Sequence, residues 1–371
     1  MTRTVLLGDI CDIKIGRTPP RKQPQWFSES HGIKWVSIKD MGNTGKYISQ
    51  TSEFLTADAI KKFNIPIIPA GTLLMSFKLT VGRLGFTGHD MCSNEAIAQL
   101  PIKDPDIVDK NYLYYYLKNF NFDSLSSTSS IATAVNSKTV KSISVNLPPL
   151  DQQKKIANIF GSLDEKIELN RRMNETLEQL GQALFRYYFV DKARQSNGNI
   201  QTVLLGKKLH PRRGRSLQAR DMIHGNVPVV SGGLKPAGFY NEANMTTPVI
   251  TISASGANAG FVSVWGEPVW SADSSYIDST ITKYVYTYYL FLKNKQKEIY
   301  DMQTGSGQPH IYPKHIELLE IANLPDCDFN AFEQRVRPLF DMIHKNKKQI
   351  DYLSNIRDLL LPKLISGEIE V

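Results

Sequence analysis

The sequence predicts an α+β protein made of two tandem mixed α/β domains, joined by two long helices packed as an antiparallel coiled coil. Three observations support this prediction. The chain repeats itself once, each copy opens with short strand-like runs, and each copy ends in a helix with an apolar seam. At 371 residues the chain is long enough for two or three domains, since one domain takes roughly 150 residues.

The internal repeat determines the predicted domain organisation. Residues 4–8 (TVLLG) recur as residues 202–206. Gly16 recurs as Gly214, and an arginine follows each of these glycines. Both matches have a separation of 198 residues. Further matches follow at separations of 175 to 177 residues, which indicates extra residues in the first copy. These matches are 85–86 with 260–261, 117–119 with 292–294, 146–148 with 323–325 and 170–172 with 346–348.

Each copy begins with a pattern that is typical of mixed β structure. Short apolar runs with β-branched residues, such as 33–38 and 248–253, alternate with Gly, Pro, Asn and Ser. A tyrosine-rich stretch follows, at 112–120 and at 284–292. We interpret it as a buried element of the core, with aromatic stacking on unpaired bases as the alternative. The predicted segments are domains at 1–150 and 191–325 and long helices at 151–190 and 326–371.

Each copy ends in a helix with the residue spacing of a coiled-coil seam. Asp151 is predicted as the N-cap of the first helix, and Pro338 and Pro362 are predicted to interrupt and kink the second. Asn170 and Asn346 fall at equivalent places on the two seams, where a polar residue fixes the register. With no other chain to bury them, the seams are predicted to face each other. The predicted seam residues are Ile156, Phe160, Leu163, Ile167, Asn170, Leu177, Leu184, Val336, Leu339, Ile343, Asn346, Ile350, Leu353 and Leu360.

The formal net charge of +8 comes from the two predicted domains. Residues 1–150 carry 17 Lys and Arg against 12 Asp and Glu, and residues 191–325 carry 14 against 10. The helical segments are neutral or slightly acidic, with 6 against 6 in 151–190 and 7 against 8 in 326–371. Two basic regions separated by neutral ones are typical of a chain that binds a polyanion.

Composition and motifs argue against several functional classes. The chain has no 18-residue apolar run and no signal-peptide pattern, so we expect a cytoplasmic protein without a membrane segment. Its cysteines, Cys11, Cys92 and Cys327, fit neither a disulfide framework nor a zinc site. No phosphate-binding loop, HExxH pair or adenine-methyltransferase motif is found, so we expect no catalytic residue, metal or cofactor in this chain. The serine-rich stretch 124–130 has no positioned base and is interpreted as a loop.

Loops rich in basic residues remain as the candidate binding site. Arg17, Arg21 and Lys22 lie among prolines in the first copy, and a group of arginines follows Pro211 at the same place in the second. Equivalent basic loops favour a common polyanion, because arginine bridges guanine or holds a phosphate. For each single residue the alternative is a solvated surface charge. The predicted DNA-binding residues are Arg17, Arg21, Lys22, Lys39, Lys78, Arg83, Arg212, Arg213, Arg215, Arg220 and Lys235.

Motifs spread along the whole chain are similar to those of one family. They are 7–10, 32–38, 71–74, 146–150 with 153–157, and 360–369. In these motifs the chain resembles the specificity subunits of type I restriction-modification enzymes. The resemblance implies two target-recognition domains, each reading one half of a bipartite double-stranded DNA target, and an antiparallel helix pair as the spacer. It also implies a subunit without catalytic activity of its own.

The resemblance further implies partners. Such subunits bind modification subunits, here two, that methylate adenine with S-adenosylmethionine, and restriction subunits that use ATP and Mg to translocate and cut DNA. The outer faces of the long helices would dock the modification subunits. The second copy departs from the family pattern, since 324–327 (LPDC) replaces the double proline and no Gln-Lys-Lys-Ile follows. Docking at that end is therefore open.

Three functional hypotheses follow. A DNA-recognition subunit would bind a bipartite duplex, with a salt dependence set by the phosphates that it neutralises. A self-contained DNA enzyme would act alone with a cofactor or metal. A protein scaffold would bind partners and show no sequence preference on DNA. The motifs favour the first hypothesis.

Overall fold

The computed structural model describes residues 2–42, 45–125, 136–191, 201–305 and 307–371. Its contacts divide the chain into two compact units. Unit 1 comprises residues 1–168 and 352–371, and unit 2 comprises residues 169–351. Each unit therefore contains one copy of the repeat with parts of both long helices. Within the described ranges, no helix is both long and apolar enough to cross a membrane.

Unit 1 is a mixed α/β domain. Its strands in the described ranges are β1 (Arg3–Leu6), β2 (Lys14–Ile15), β3 (Phe27–Ser28), β4 (Ile33–Val36), β5 (Tyr47–Ile48), β6 (Glu53–Leu55), β7 (Leu73–Ser76), β8 (Leu84–Thr87), β9 (Cys92–Ser93), β10 (Ile97–Leu100) and β11 (Ser144–Leu147). Its short helices are α1 (Leu7–Ile10), α2 (Ile38–Gly42), α3 (Ala57–Lys62), α4 (Lys110–Lys118) and α5 (Ser137–Lys141).

Two sheets form most of this domain. One has the strand order β2-β10-β7-β8-β5, and the other has the order β3-β6-β4-β9. Strand β7 is buried on both faces, because alternate side chains point to opposite sides of a sheet. Leu73 and Met75 pack in the same core as α4, whereas Leu74 packs with Val36 and Ile48.

The tyrosine-rich stretch of the first copy is helix α4, whose tyrosines Tyr112, Tyr114 and Tyr115 are buried. Asp109 caps the helix by accepting hydrogen bonds from two backbone N–H groups of its first turn. The hydroxyl of Tyr112 donates to the carbonyl oxygen of Asn146 at 2.7 Å. The stretch is a core element, as predicted, and these buried rings are not placed to stack on bases.

The first long helix is α6 (Leu150–Phe185), continued by a π-helical turn at Arg186–Asp191. Asp151 therefore lies inside the first turn, and its prediction as N-cap was wrong. The helical hydrogen bonds begin one residue before Leu150, since the carbonyl of Pro149 accepts from the N–H of Gln153 at 3.0 Å. Of the serine-rich stretch, 126–130 lies outside the described residues.

Unit 2 is a second mixed α/β domain, with sheets in the orders β13-β19-β16-β17, β15-β14-β18 and β12-β20. Its described strands are β12 (Thr202–Leu204), β13 (Arg212–Arg213), β14 (Val227–Val230), β15 (Gly238–Tyr240), β16 (Val249–Ser253), β17 (Val262–Trp265), β18 (Trp270–Ser271), β19 (Ser274–Asp278) and β20 (Glu320–Ala322). Its helices are α7 (Val285–Asn294), α8 (Gln296–Asp301), α9 (Pro313–Glu317) and the greater part of the second long helix, α10 (Asp326–Ser366).

The strand pairing reproduces the internal repeat. The antiparallel pair β1–β11 corresponds to β12–β20, the parallel pair β4–β9 to β14–β18, and the hairpin β7–β8 to β16–β17. The tyrosine-rich helix α7 is buried like α4. The two domains are therefore copies of one arrangement.

Helix α10 stays helical through both of its prolines. The expected interruption at Pro338 and Pro362 was therefore wrong. Buried residues lie on both sides of each proline, Val336 and Phe340 around the first. This packing offsets the hydrogen bond that each proline removes from the helix.

Candidate nucleic-acid interface

The glycine that recurs in the two copies occupies a site that only glycine fits. A Cβ on Gly16 would lie 2.2 Å from the carbonyl oxygen of Ser93, and one on Gly214 would lie 2.5 Å from that of Ser271. The N–H of the arginine that follows each glycine donates to the same serine carbonyl, at 2.9 Å in both domains. The repeated Gly-Arg pair is thus a backbone clamp that presents the same basic segment in each domain.

The side chain of Arg17 is held inside unit 1. Its guanidinium donates to the carbonyl oxygens of Phe63 at 3.0 Å and Asn64 at 2.9 Å. These carbonyls end helix α3, where a positive charge is favourable. Arg17 therefore positions the basic segment against a neighbouring helix.

Arg21 is also engaged. It donates two hydrogen bonds to the carboxylate of Glu53, at 2.7 and 3.0 Å. Its guanidinium carbon lies 4.4 Å from the ring centroid of Phe27 and 4.6 Å from that of Trp35. By contrast, the neighbouring Lys22 is exposed and has no hydrogen bond or ion pair within the described part of the chain.

Unit 2 shows the same division between held and free cations. Arg213 donates to the carboxylate of Asp273 at 2.5 Å, and that carboxylate also accepts from the hydroxyl of Ser255. Arg212 is exposed, with no ion pair or hydrogen bond of its side chain to a described residue. Strand β13 therefore presents one arginine bound to the domain and one free.

The other three predicted cations of unit 2 are exposed and lie outside its strands. Arg215 has its guanidinium 5.8 Å from the ring centroid of Trp270. Arg220 pairs with the adjacent Asp221, at 3.8 Å. Lys235, in the turn between β14 and β15, is exposed and has no ion pair with any described residue. These three groups are accessible to a ligand.

A second basic group of unit 1 surrounds the loop between β7 and β8. Arg83 donates to the carbonyl oxygen of Ile38 at 2.7 Å and lies against Gly42, where a Cβ would come within 2.3 Å of it. This contact ties the loop to helix α2. Lys39 on that helix and Lys78 in the loop are both exposed, so the contact of Arg83 joins the two elements that carry these cations.

Two further lysines, which the sequence pattern did not single out, lie against aromatic rings of the domains. Lys46 lies 5.1 Å from the ring centroid of Tyr115, and Lys293 lies 4.7 Å from that of Phe261. Burial lowers the pKa of both ammonium groups. Lys293 belongs to a repeated tripeptide that could have identified it, whereas nothing local in the sequence distinguishes Lys46.

In unit 1 the two long helices meet at an ion pair. The guanidinium of Arg357 lies 2.8 Å from the carboxylate of Asp164, and the hydroxyl of Tyr115 donates to the same carboxylate at 2.9 Å. The amino group of Lys155 lies 3.4 Å from the carbonyl oxygen of Val371. A lower residue number on the first helix is thus paired with a higher residue number in the C-terminal segment. The helices are antiparallel within this unit, as predicted.

In unit 2 the predicted seam asparagines make the cross-helix contacts. Asn170 donates to the side-chain oxygen of Gln349 at 2.9 Å, and Asn346 donates to that of Asn174, also at 2.9 Å. Both donors are buried, with 1% and 5% of their surface exposed. Because these contacts again run in opposite directions, the pair is antiparallel here as well. Each polar seam residue is satisfied only in this register.

Every predicted seam residue is buried or half-buried, yet the seams do not face only each other. Phe160 has its ring centroid 5.2 Å from that of Tyr115 in α4. Val336 and Ile343 pack in the same core as α7. Each domain therefore covers part of the seam, and the helices are integral to the domain cores.

The described residues contain no group of three or more His, Cys, Asp or Glu side chains that could hold a metal ion. All three cysteines are free. Burial raises the pKa of Cys11 to about 12 and that of Cys92 to about 11, so both thiols stay protonated at neutral pH. Cys327 is exposed.

The chain is similar in sequence and fold to known proteins. The family model described as "Type I restriction modification DNA specificity domain" matches residues 2–179. The chain is 26% identical over 404 residues to the type I restriction enzyme MjaIX specificity subunit of Methanocaldococcus jannaschii, covering 98% of this chain and 93% of that protein. It is 54% identical over 52 residues to the HindI specificity subunit of Haemophilus influenzae, a match that covers 14% of this chain and 11% of that protein.

A solved structure shares the fold. The S subunit of a type I restriction-modification system from M. genitalium superposes with a TM-score of 0.67 at 18% identity, covering 98% of this chain and 96% of that one. The family match lies in the first copy, and the sequence similarity runs along nearly the whole chain. Residues 2–179 thus resemble the type I restriction modification DNA specificity domain, and nearly the whole chain is similar in sequence to a type I restriction enzyme specificity subunit.

Proposed function

We propose that this chain is the sequence-specific DNA-binding subunit of a type I restriction-modification system and reads a bipartite duplex, one half-site with each domain. The supporting observation is the clamp at Gly16 and Gly214. In each domain the backbone N–H after this glycine donates to an equivalent serine carbonyl, which fixes the basic segment in the same way. Equivalent backbones that carry different side chains suit two readers of different sequences. The localised positive charge of each domain suits a phosphate backbone.

The cations divide into two roles in this proposal. The engaged arginines Arg17, Arg21 and Arg213 hold the binding segments in place through the bonds described above. The exposed Lys22 and Arg212, together with the other accessible cations, contact phosphates or base edges. Loss of an engaged arginine therefore disturbs the geometry of a half-site, whereas loss of an exposed cation removes a DNA contact.

The helix pair acts as the spacer between half-sites. Asp164 with Arg357, and Asn170 with Gln349, allow one register of the helices because each pair loses its hydrogen bonds if the helices slip. A fixed register suits a target with a fixed gap. The gap recognised by this protein would then be set by helix length.

Modification and restriction subunits are the proposed partners, with two modification subunits for each copy of this chain. They would supply the chemistry with S-adenosylmethionine, ATP and Mg, and this chain would contribute recognition without catalysis. Exposed apolar side chains on the long helices support docking there. Leu169, Tyr352 and Leu359 expose 53%, 66% and 68% of their surface and are the candidate docking residues.

Selection from a random duplex library tests the proposal. The purified full chain with its modification subunit is mixed with the library, and the retained duplexes are sequenced. We expect a split motif with a constant gap and an adenine in each half. Enrichment of nothing would favour a protein scaffold, and a contiguous motif would leave a single working reader. Methylation or cleavage by the chain alone would reject the non-catalytic assignment.

A further inference from the structure

Leu79 combines an unfavourable backbone conformation with an almost fully exposed side chain. It lies in the loop between β7 and β8 with φ at 63°, and 94% of its surface is exposed. The left-handed region is unfavourable for leucine because its Cβ crowds the following carbonyl. A side chain in solvent makes no packing contacts that would offset this cost. Such outliers persist where the surrounding structure imposes them and often mark a functional position.

The loop is built to hold Leu79 in this conformation. The buried hydroxyl of Ser76 donates to the carbonyl oxygen of Thr80 and accepts from the N–H of Arg83 at 3.0 Å. The N–H of Gly82 donates to the Ser76 carbonyl at 2.9 Å. The loop is therefore braced from inside, with Leu79 at its exposed end.

Unit 2 has a corresponding loop between β16 and β17, which is one residue longer and lacks the leucine. Ser253 ends β16 as Ser76 ends β7, and its carbonyl accepts from the N–H of Gly260 at 2.7 Å, whereas its hydroxyl has no hydrogen-bond partner among the described residues. Three residues beyond Ser253, Gly256 has φ at 81°. Glycine adopts this conformation without cost. The corresponding loop of unit 2 therefore places a glycine at its left-handed position, and the leucine in unit 1 calls for another explanation.

We propose that Leu79 is an apolar wedge that inserts between stacked bases of the half-site read by unit 1. This inference rests on the proposed function and adds a specificity-determining residue to it. Lys78 is its neighbour in the loop, and Arg83 ties the loop to the helix that carries Lys39. An exposed leucine on a loop that also carries the exposed Lys78 suits a duplex, because a cation can hold a phosphate beside the opened step. A docking protein would be expected to meet a wider apolar patch.

The test uses the full chain with its modification subunit and the split target obtained by library selection. Single 2-aminopurine substitutions are placed in turn along the half-site of unit 1. We expect the wild type to raise the fluorescence at one step, because that base loses its stacking. Leu79→Asn tolerates the left-handed backbone but removes the apolar side chain, so it should abolish this signal and weaken binding about 10-fold. Leu79→Met should retain both.

Two further readouts separate a wedge from other roles. The salt dependence of binding should be unchanged in Leu79→Asn, because leucine neutralises no phosphate. The melting temperature should be equal or higher, since asparagine relieves the backbone strain. Ile67→Asn is the matched control, because Ile67 lies outside the loop with 48% of its surface exposed and should not affect binding.

Wild-type affinity and fluorescence in Leu79→Asn would overturn the wedge while leaving the proposed function intact. Loss of binding to the modification subunit, with DNA binding by the chain preserved, would overturn it in favour of a protein contact. If no split target can be selected at all, the proposed function fails and this inference fails with it.

Discussion

Trp35 and Trp270 make the same hydrogen bond from opposite strands of equivalent sheets. Each indole N–H donates to the carbonyl oxygen of the arginine after the repeated glycine, at 3.2 Å in unit 1 and 2.9 Å in unit 2. Trp35 lies on the first strand of a parallel pair, opposite Cys92. Trp270 lies on the second strand of the corresponding pair, opposite Val229. The two domains thus place the indole on different strands of the pair, yet it makes the same hydrogen bond in both.

This difference predicts that unit 1 can carry its tryptophan at position 92 instead of position 35, as unit 2 carries Trp270 opposite Val229. Trp35→Val should lower the unfolding free energy by about 3 kcal/mol, because it leaves a cavity and an unsatisfied carbonyl. Adding Cys92→Trp to that variant should restore at least half of the loss, since both side chains pack in one cluster. Denaturant unfolding of the three proteins measures this. A double variant less stable than Trp35→Val would contradict the exchange.

The example shows what the sequence could and could not predict. Gly16 was found by the repeat, because a close backbone approach permits only glycine and leaves the same letter in both copies. The repeat did not pair the two tryptophans, because they stand at different positions of the two copies. The core needs an indole at one place, and a residue on either strand of the parallel pair can supply it. The engagement of Arg21 was also invisible, since Glu53 lies 32 residues away in the chain. Periodicity located the seams, because a helix pair is a local pattern.

The ion pair between the long helices of unit 1 should contribute measurably to stability. Asp164 and Arg357 have only 14% and 17% of their side chains exposed, and Arg357→Ala leaves the carboxylate without its main partner. We expect a loss of about 2 kcal/mol in denaturant unfolding. Lys363→Ala breaks the exposed pair with Glu368 and should cost less than about 0.5 kcal/mol. Equal effects would contradict the buried role of Asp164.

Neighbouring positions on the first long helix should respond differently to the same substitution. Ile167 has 2% of its surface exposed, whereas Leu169 has 53%. Ile167→Lys should therefore lower the unfolding free energy by about 3 kcal/mol, because it buries an unpaired charge. Leu169→Lys should stay within about 0.5 kcal/mol and weaken binding of a modification subunit, which pull-down of purified proteins measures. A stable Ile167→Lys protein would show that the seam is not buried.

His344 should make the stability of the protein depend on pH. Burial, with smaller effects of Lys347 and Lys348, lowers the pKa of its imidazole from 6.5 to about 4. Because the folded state disfavours protonation, its contribution is complete above pH 6.5 and is lost as the pH falls towards 4.

The expected loss is on the order of 1–2 kcal/mol for a ring that is only partly buried. His344→Gln should remove this part of the pH dependence in unfolding experiments between pH 7 and 4. His224→Gln is the control, because His224 is exposed and its side chain has no hydrogen bond or ion pair with a described residue. An unchanged slope in His344→Gln would assign the pH dependence to other groups.

Arg212 and Arg213 are adjacent, yet among the described residues only Arg213 has an ion-pair partner. Arg212→Ala should weaken binding of the selected duplex, reduce its salt slope by about 1, and leave the melting temperature unchanged, because it removes a free cation. Arg213→Ala leaves Asp273 without its ion pair, so it should lower the melting temperature and relax discrimination at the half-site of unit 2. Binding titrations at several salt concentrations, with each half-site mutated in turn, measure both effects. Equal loss at both half-sites would contradict the assignment of one reader to each domain, since a residue of unit 2 should affect only the half that unit 2 reads.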